Sequence, residues 1–181
     1  MLLWTIQHRD AYENMLRSVS LRADESRLFC GDEFKFAYDW LAARMREKIG
    51  EPPEGVKYPV WAWYQWEGVR KRPDMRGSHK CYGDKGTPIV LLTADVPDEL
   101  VLLSDFDMWH CVLTNSYIAV DEADDENFCG NQLDIEQSWL RMFDIAGDYA
   151  GWYSQDEKSI QAAMWEIKAE WVRNAEFFVS R

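Results

Sequence analysis

The segment Leu103-Ser104-Asp105-Phe106-Asp107-Met108-Trp109-His110 places two carboxylates and an imidazole within six residues. Such groups ligate divalent cations. They are also what a helix start requires, because Ser-Asp-x-Asp ahead of an amphipathic run satisfies free N–H groups and favours the helix dipole. Helix capping is the preferred reading of Ser104, Asp105 and Asp107, with metal binding by Asp105, Asp107 and His110 as the sharper alternative. The segment Trp61-Ala62-Trp63-Tyr64-Gln65-Trp66 holds three tryptophans in six residues. These can be plain packing, or they can form a slot against which a flat ring stacks. Packing is preferred for Trp61, whereas Trp63, Tyr64 and Gln65 adjoin a basic stretch and are candidates for ligand contact. That stretch, residues 69–85, has six Lys/Arg against two Asp. Arg70, Lys71, Arg72, Arg76 and Lys80 could neutralise a phosphate, or simply balance acid elsewhere. His110-Cys111 is no dyad by itself, since adjacent residues point in different directions.

Several chemistries leave no trace. There is no GxSxG nucleophile elbow, no Walker loop and no GxGxxG. The four cysteines, Cys30, Cys81, Cys111 and Cys129, contain no CxxC pair, so reduced thiols are expected and a structural zinc site is not. No apolar run approaches the length of a membrane span. The start of the chain lacks the charged and apolar regions of a secretory signal, which makes the cytoplasm the expected compartment.

Charge is unevenly placed. Residues 1–90 carry 15 Lys/Arg and 13 Asp/Glu, whereas residues 91–181 carry 5 and 19, and the whole chain is at −12. This balance argues against nonspecific nucleic-acid binding, which needs clustered cations. Residues 121–136 contain seven acids and no base. They read as a solvated loop able to meet a basic protein partner.

The elements that must position these groups follow from periodicity. Residues 2–7 and the alternating 58–66 read as strands, the latter with Val60, Ala62 and Tyr64 on one face and Trp61 and Trp63 on the other. The continuous apolar run 88–95 reads as a buried strand. A brief apolar run at 100–103 and a short last strand at 175–179 lie before and after the acidic stretch 121–136. Residues 10–18, with Asp10 as cap, and 34–49, stopped by Gly50 and Pro52-Pro53, read as helices. So do a helix through Met108, Trp109, Val112 and Leu113, and one over 135–143. Residues 159–168 alternate like a strand, although helix over 157–173 also fits their composition. The sum is a single compact α+β domain over residues 1–181, with a mixed or antiparallel sheet and flanking helices.

Four segments together, Leu3-Trp4-Thr5-Ile6-Gln7, Tyr58-Pro59-Val60-Trp61-Ala62-Trp63, Leu102 through His110, and Gln161-Ala162 leading to Trp165-Glu166, resemble a bacterial family known as a domain of unknown function, over essentially the whole chain. The layout is more distantly similar to ADP-ribosyltransferase-like proteins, including the DNA-modifying toxin type. Residues 92–102 have the flavour of the family's middle segment, and 159–165 occupy the place of the strand bearing its catalytic Glu. That resemblance implies an NAD-binding transferase acting on a macromolecular or small-molecule acceptor. Gln7, Trp63, Tyr64 and Arg72 would hold the dinucleotide, and Gln161 or Glu166 would orient its ribose. Trp4, Thr5 and Gln7 stand where such enzymes carry a first-strand His or Arg, and Gln161 or Ala163 stands at the Glu place. Cleaving the glycosidic bond of NAD develops oxocarbenium character, which a carboxylate stabilises and a neutral amide does not. The alternative function is a non-enzymatic binding or regulatory domain working through residues 121–136.

Overall fold

The computed structural model describes residues 1–28, 32–78, 83–147, 149 and 158–180. In chain order the elements are β1 (Leu2–His8), α1 (Arg9–Ser18), β2 (Ser20–Leu21), α2 (Glu25–Leu28), α3 (Lys35–Ile49), β3 (Val60–Gln65), α4 (Met75–Ser78), β4 (Pro88–Asp95), β5 (Leu102–Asp105), α5 (Phe106–Leu113), α6 (Glu122–Asn127), α7 (Gln132–Ser138), β6 (Ile160–Met164), β7 (Ile167–Lys168) and β8 (Val172–Val179). Six strands form one antiparallel sheet in the order β5-β6-β3-β1-β4-β8, and β2 pairs with β7 beside it. The fold is a single compact α+β domain. No described helix is long and apolar enough to cross a membrane.

Strand alternation decides what each face of the sheet buries. Leu3, Val60, Ala62, Val90, Leu92, Ala162 and Met164 gather on one face around Met15 of α1 and Leu21. On the other face Leu102, Ala163 and Trp165 meet Ala37, Leu41 and Met45 of α3, Met108, Trp109 and Val112 of α5, and Trp139 and Met142. A smaller group, Trp4, Ile6, Ile89 and Leu91, closes against Met75. Leu41 and Met45 are fully buried, and each such side chain contributes about 1.5–3 kcal/mol by leaving water. The helix stop at Gly50 is observed at φ +91, a left-handed conformation that a side chain resists.

The sequence reading differs from the structure in three places. Asp10 is not the cap of α1: His8 holds that position, and Asp10 sits in the first turn, where it accepts from the Arg27 guanidinium at 2.6 and 2.9 Å. The acidic stretch 121–136 is not a loop. Asp121 caps α6 through the Asp124 N–H, and Asn131 and Asp134 form a reciprocal capping box on α7, so local hydrogen bonding offsets charge repulsion. The alternation over 159–168 is real but interrupted, because the strand breaks between β6 and β7 at Trp165-Glu166. Of the cysteines, Cys111 and Cys129 are free thiols, and Cys30 and Cys81 lie outside the described residues, as does Lys80.

Candidate functional site

The sheet contains one seam that is paired differently from its neighbours. β1 runs in full register with β4 from Leu2↔Asp95 to His8↔Ile89. Against β3, among the described residues, its register is the single pair Trp4↔Trp63. Beyond that pair a side chain takes over from the ladder. Thr5, buried, donates from Oγ1 to the Trp61 carbonyl oxygen at 2.6 Å and accepts from the Gln7 amide at 2.7 Å. Arg70 braces the same seam from outside. Its guanidinium donates to the carbonyl oxygens of Leu2 on β1 and Tyr64 on β3 and lies 3.8 Å from the centre of the Tyr64 ring. This stacked, forked contact is one that lysine cannot reproduce.

On the helical face of the seam lies a slot of about 310 Å³. Thr5, Gln7, Trp61, Trp63, Phe106, Trp109, His110 and Gln161 contribute to its lining, together with Tyr38. Its volume is at the lower end of the ~300–1,000 Å³ typical of small-molecule sites, enough for one ring system rather than a whole dinucleotide. The walls are aromatic and mutually braced. Trp61 and Trp109 lie 5.2 Å apart, Tyr38 meets both edge-on, and Trp63 meets Phe106 edge-on at 5.1 Å. Burial pushes the Tyr38 phenol up, and its contact with Trp61 partly offsets this. On the opposite face of the sheet a second cavity, about 390 Å³, shares Gln7 and Trp61 with the slot and continues to His8, Arg22 and Arg27.

Helix α5 supplies the third wall, and Asp105 starts it. Its Oδ1 accepts from the N–H groups of Asp107 and Met108 at 2.9 and 3.1 Å. Its Oδ2 lies 3.3 Å from Nζ of Lys158, in an ion pair whose two side chains are each only 2% exposed. The spacing Phe106, Trp109, His110 (i, i+3, i+4) then turns all three toward the slot. Across the β5–β6 ladder Ser104 faces Gln161. Ser104 Oγ and Gln161 Oε1 are both buried without a hydrogen-bond partner in the protein, so this polar pair at the slot's edge is under-satisfied.

The residues singled out from sequence therefore divide. Gln7, Trp63, His110 and Gln161 converge on one slot, and Ser104 and Asp105 underlie it. Tyr64 lies on the opposite face of β3, packed with Val60 and Ala62 and under Arg70. Arg72 is not near the slot: it makes a two-pronged pair with Glu176 of β8, at 2.6 and 2.8 Å, beside a separate cavity. Glu166 pairs with Arg22 at 2.9 Å and lines another cavity with Lys168 and Glu170. Desolvation and the Asp105 charge raise the Asp107 carboxyl, with His110 opposing. Among the described residues no group of three or more His, Cys, Asp or Glu is arranged to hold a metal ion. The capping reading of Asp105 is the one observed. The sequence assigns no site role to Phe106 and Trp109, sets Thr5 only among the residues at the first-strand His or Arg place, and prefers packing for Trp61, yet all four line the slot. The α5 spacing was a usable signal for Phe106 and Trp109, whereas nothing local marks Thr5.

Among curated proteins the comparison finds no match. A family model described as Domain of unknown function (DUF3841) matches residues 2–133, which include β1, the tryptophan strand and all of α5. With well over half of its length matched, the chain belongs to this DUF3841 family.

Proposed function

We propose that the protein binds a planar nitrogen heterocycle, of the nicotinamide or nucleobase kind, in the slot between β3 and α5. One observation carries the reading: Gln7 and Trp63, candidate dinucleotide contacts, Gln161, the candidate ribose-orienting group, and His110, singled out as a candidate metal ligand, line one aromatic cavity of ring size. Rings stack favourably on such walls, and a few polar groups at the edge set orientation. NAD is the cofactor this reading favours, with its ring in the slot. The remainder would pass the seam at Gln7 and Trp61 toward His8, Arg22 and Arg27, which line the adjoining cavity. ADP-ribosyl transfer to an acceptor is the accompanying enzymatic reading. Its oxocarbenium-like step needs a carboxylate, and Gln161 brings none, so Glu166 would have to exchange Arg22 for the ribose. Quenching of tryptophan emission on titration with NAD, nicotinamide and adenosine tests binding. Saturable quenching that is lost in Gln161→Ala supports the reading, and no binding at millimolar ligand overturns it. Release of nicotinamide, measured by mass spectrometry with and without Glu166→Ala, tests transfer.

A second reading has its own observation. Among the described residues only Asp124, of the seven acids in residues 121–136, forms an ion pair, with Arg141. The rest present unneutralised charge on α6 and α7, a surface suited to a basic protein partner held in a salt-dependent manner. A partner that elutes with salt and is lost on neutralising Glu122, Asp125 and Glu126 would support it; retention of that partner would overturn it.

A further inference from the structure

His110 is exposed at the lip of the slot, and its two ring nitrogens are not equivalent. Nδ1 lies 2.9 Å from the carbonyl oxygen of Phe106, one turn back on α5. A carbonyl oxygen only accepts, so Nδ1 carries the proton of the neutral ring. Nε2 is then an acceptor on the edge of the imidazole turned away from its own helix, and among the described residues no protein group donates to it. The ring is further held by Phe106, edge-on at 4.5 Å. The lip of the slot is thus a fixed hydrogen-bond acceptor beside aromatic walls that set the plane of a bound ring.

We infer that His110 determines specificity: it selects heterocycles whose edge presents an N–H donor, an exocyclic amino or carboxamide group, over analogues that lack it. This rests on the ring-binding reading above, and adds to it the chemistry that the ring must carry. The Nε2 acceptor meets such a donor directly, whereas an analogue without one leaves Nε2 to water or opposes two acceptors. A hydrogen bond at a partly solvated lip corresponds to roughly a two- to tenfold preference.

The test uses the intact chain at about pH 8. Two matched, uncharged pairs of probes are titrated by calorimetry: nicotinamide against methyl nicotinate, and adenosine against purine riboside. The expected result is tighter binding of the donor-bearing member of each pair by roughly two- to tenfold. His110→Phe, at an exposed position, should bind both members alike, and His110→Gln, which restores an acceptor, should recover the preference. Equal binding of both members by the unaltered protein overturns the inference while leaving the slot as a ring site. A preference that survives in His110→Phe also overturns it, since another group would then be selecting. If no probe binds, the ring-binding reading itself falls.

Discussion

Replacing Asp105 by Asn should unsettle the protein far more than the loss of one surface charge would. Asn is as good a helix cap as Asp, so the bonds to Asp107 and Met108 are retained. What is removed is the charge facing Lys158 across 3.3 Å in a site where both side chains are 2% exposed. The other nearby groups, the Ile145 carbonyl oxygen at 3.5 Å and the Tyr149 ring at 5.7 Å, are weak substitutes. Stranding one member of a buried pair costs about 3–5 kcal/mol. Asp105→Asn should therefore lose about 4 kcal/mol, a large share of the ~5–15 kcal/mol that holds a domain together. Urea unfolding followed by tryptophan emission would show the midpoint falling by about 1.5–2 M. Lys158→Met should cost less, since the α5 N–H groups and helix dipole still stabilise the carboxylate. The double variant Asp105→Asn with Lys158→Met should return to within about 1 kcal/mol of the unaltered protein, giving a large coupling in the cycle. A loss below about 1 kcal/mol for Asp105→Asn would refute the reasoning, since it would mean that water reaches the pair.

Thr5→Val keeps the shape of the side chain but removes the bonds to the Trp61 carbonyl and the Gln7 amide; it should cost about 1–2 kcal/mol in denaturant and weaken ring binding by loosening the seam. Val19 ends α1 at φ +62, a conformation a β-branched residue resists, and is 71% exposed; Val19→Gly should raise stability by about 0.5–1 kcal/mol, as relief of strain exceeds the entropy that glycine adds to the unfolded chain. The Arg27 guanidinium holds the Asp10 carboxyl down at about 2, from an ordinary 3.8. The pair's contribution is therefore present above about pH 4 and lost as pH falls toward 2. Both side chains are about half exposed, so it is worth less than about 1 kcal/mol, and Asp10→Asn should remove that part of the acid dependence of the melting temperature.

Much of the architecture was legible in residue order, for reasons visible at single positions. Val60, Ala62 and Tyr64 share one face and Trp61 and Trp63 the other because a strand has a period of two whatever surrounds it. The run 88–95 is apolar on both faces because β4 lies inside the sheet, covered on either side. Residues 121–136 carry two helices where the charge predicts a loop, because net charge is a poor guide where side chains cap their own backbone: Asp121 and Asn131 each spend an oxygen on an N–H within three residues. The basic stretch was legible as charge but not as destination. Arg70 is committed to carbonyl oxygens and the Tyr64 ring, Arg72 to Glu176 and Arg76 to Asp74, leaving these three guanidiniums engaged within the protein rather than gathered around one ligand.

By itself, then, the chain determined the strands β1, β3 and β4, the helices α1, α3 and α5, and the faces that β3 and α3 bury, because each depends on dihedral preference, periodicity or hydrogen bonds spanning a few residues; it left residues 159–168 open between strand and helix, and the start of α5 open between Asp105 and Asp107. Only the tertiary structure decided which chemistry-bearing groups meet. Trp63 and Gln161 are 98 positions apart in sequence and become neighbours through the β3–β6 register. Arg72 and Glu166, equally plausible on paper, are carried away by partners on β8 and after β2. Which strands lie side by side, when they are as far apart in sequence as β3 and β6, is set by the packing of the whole sheet and not by the pattern within either strand.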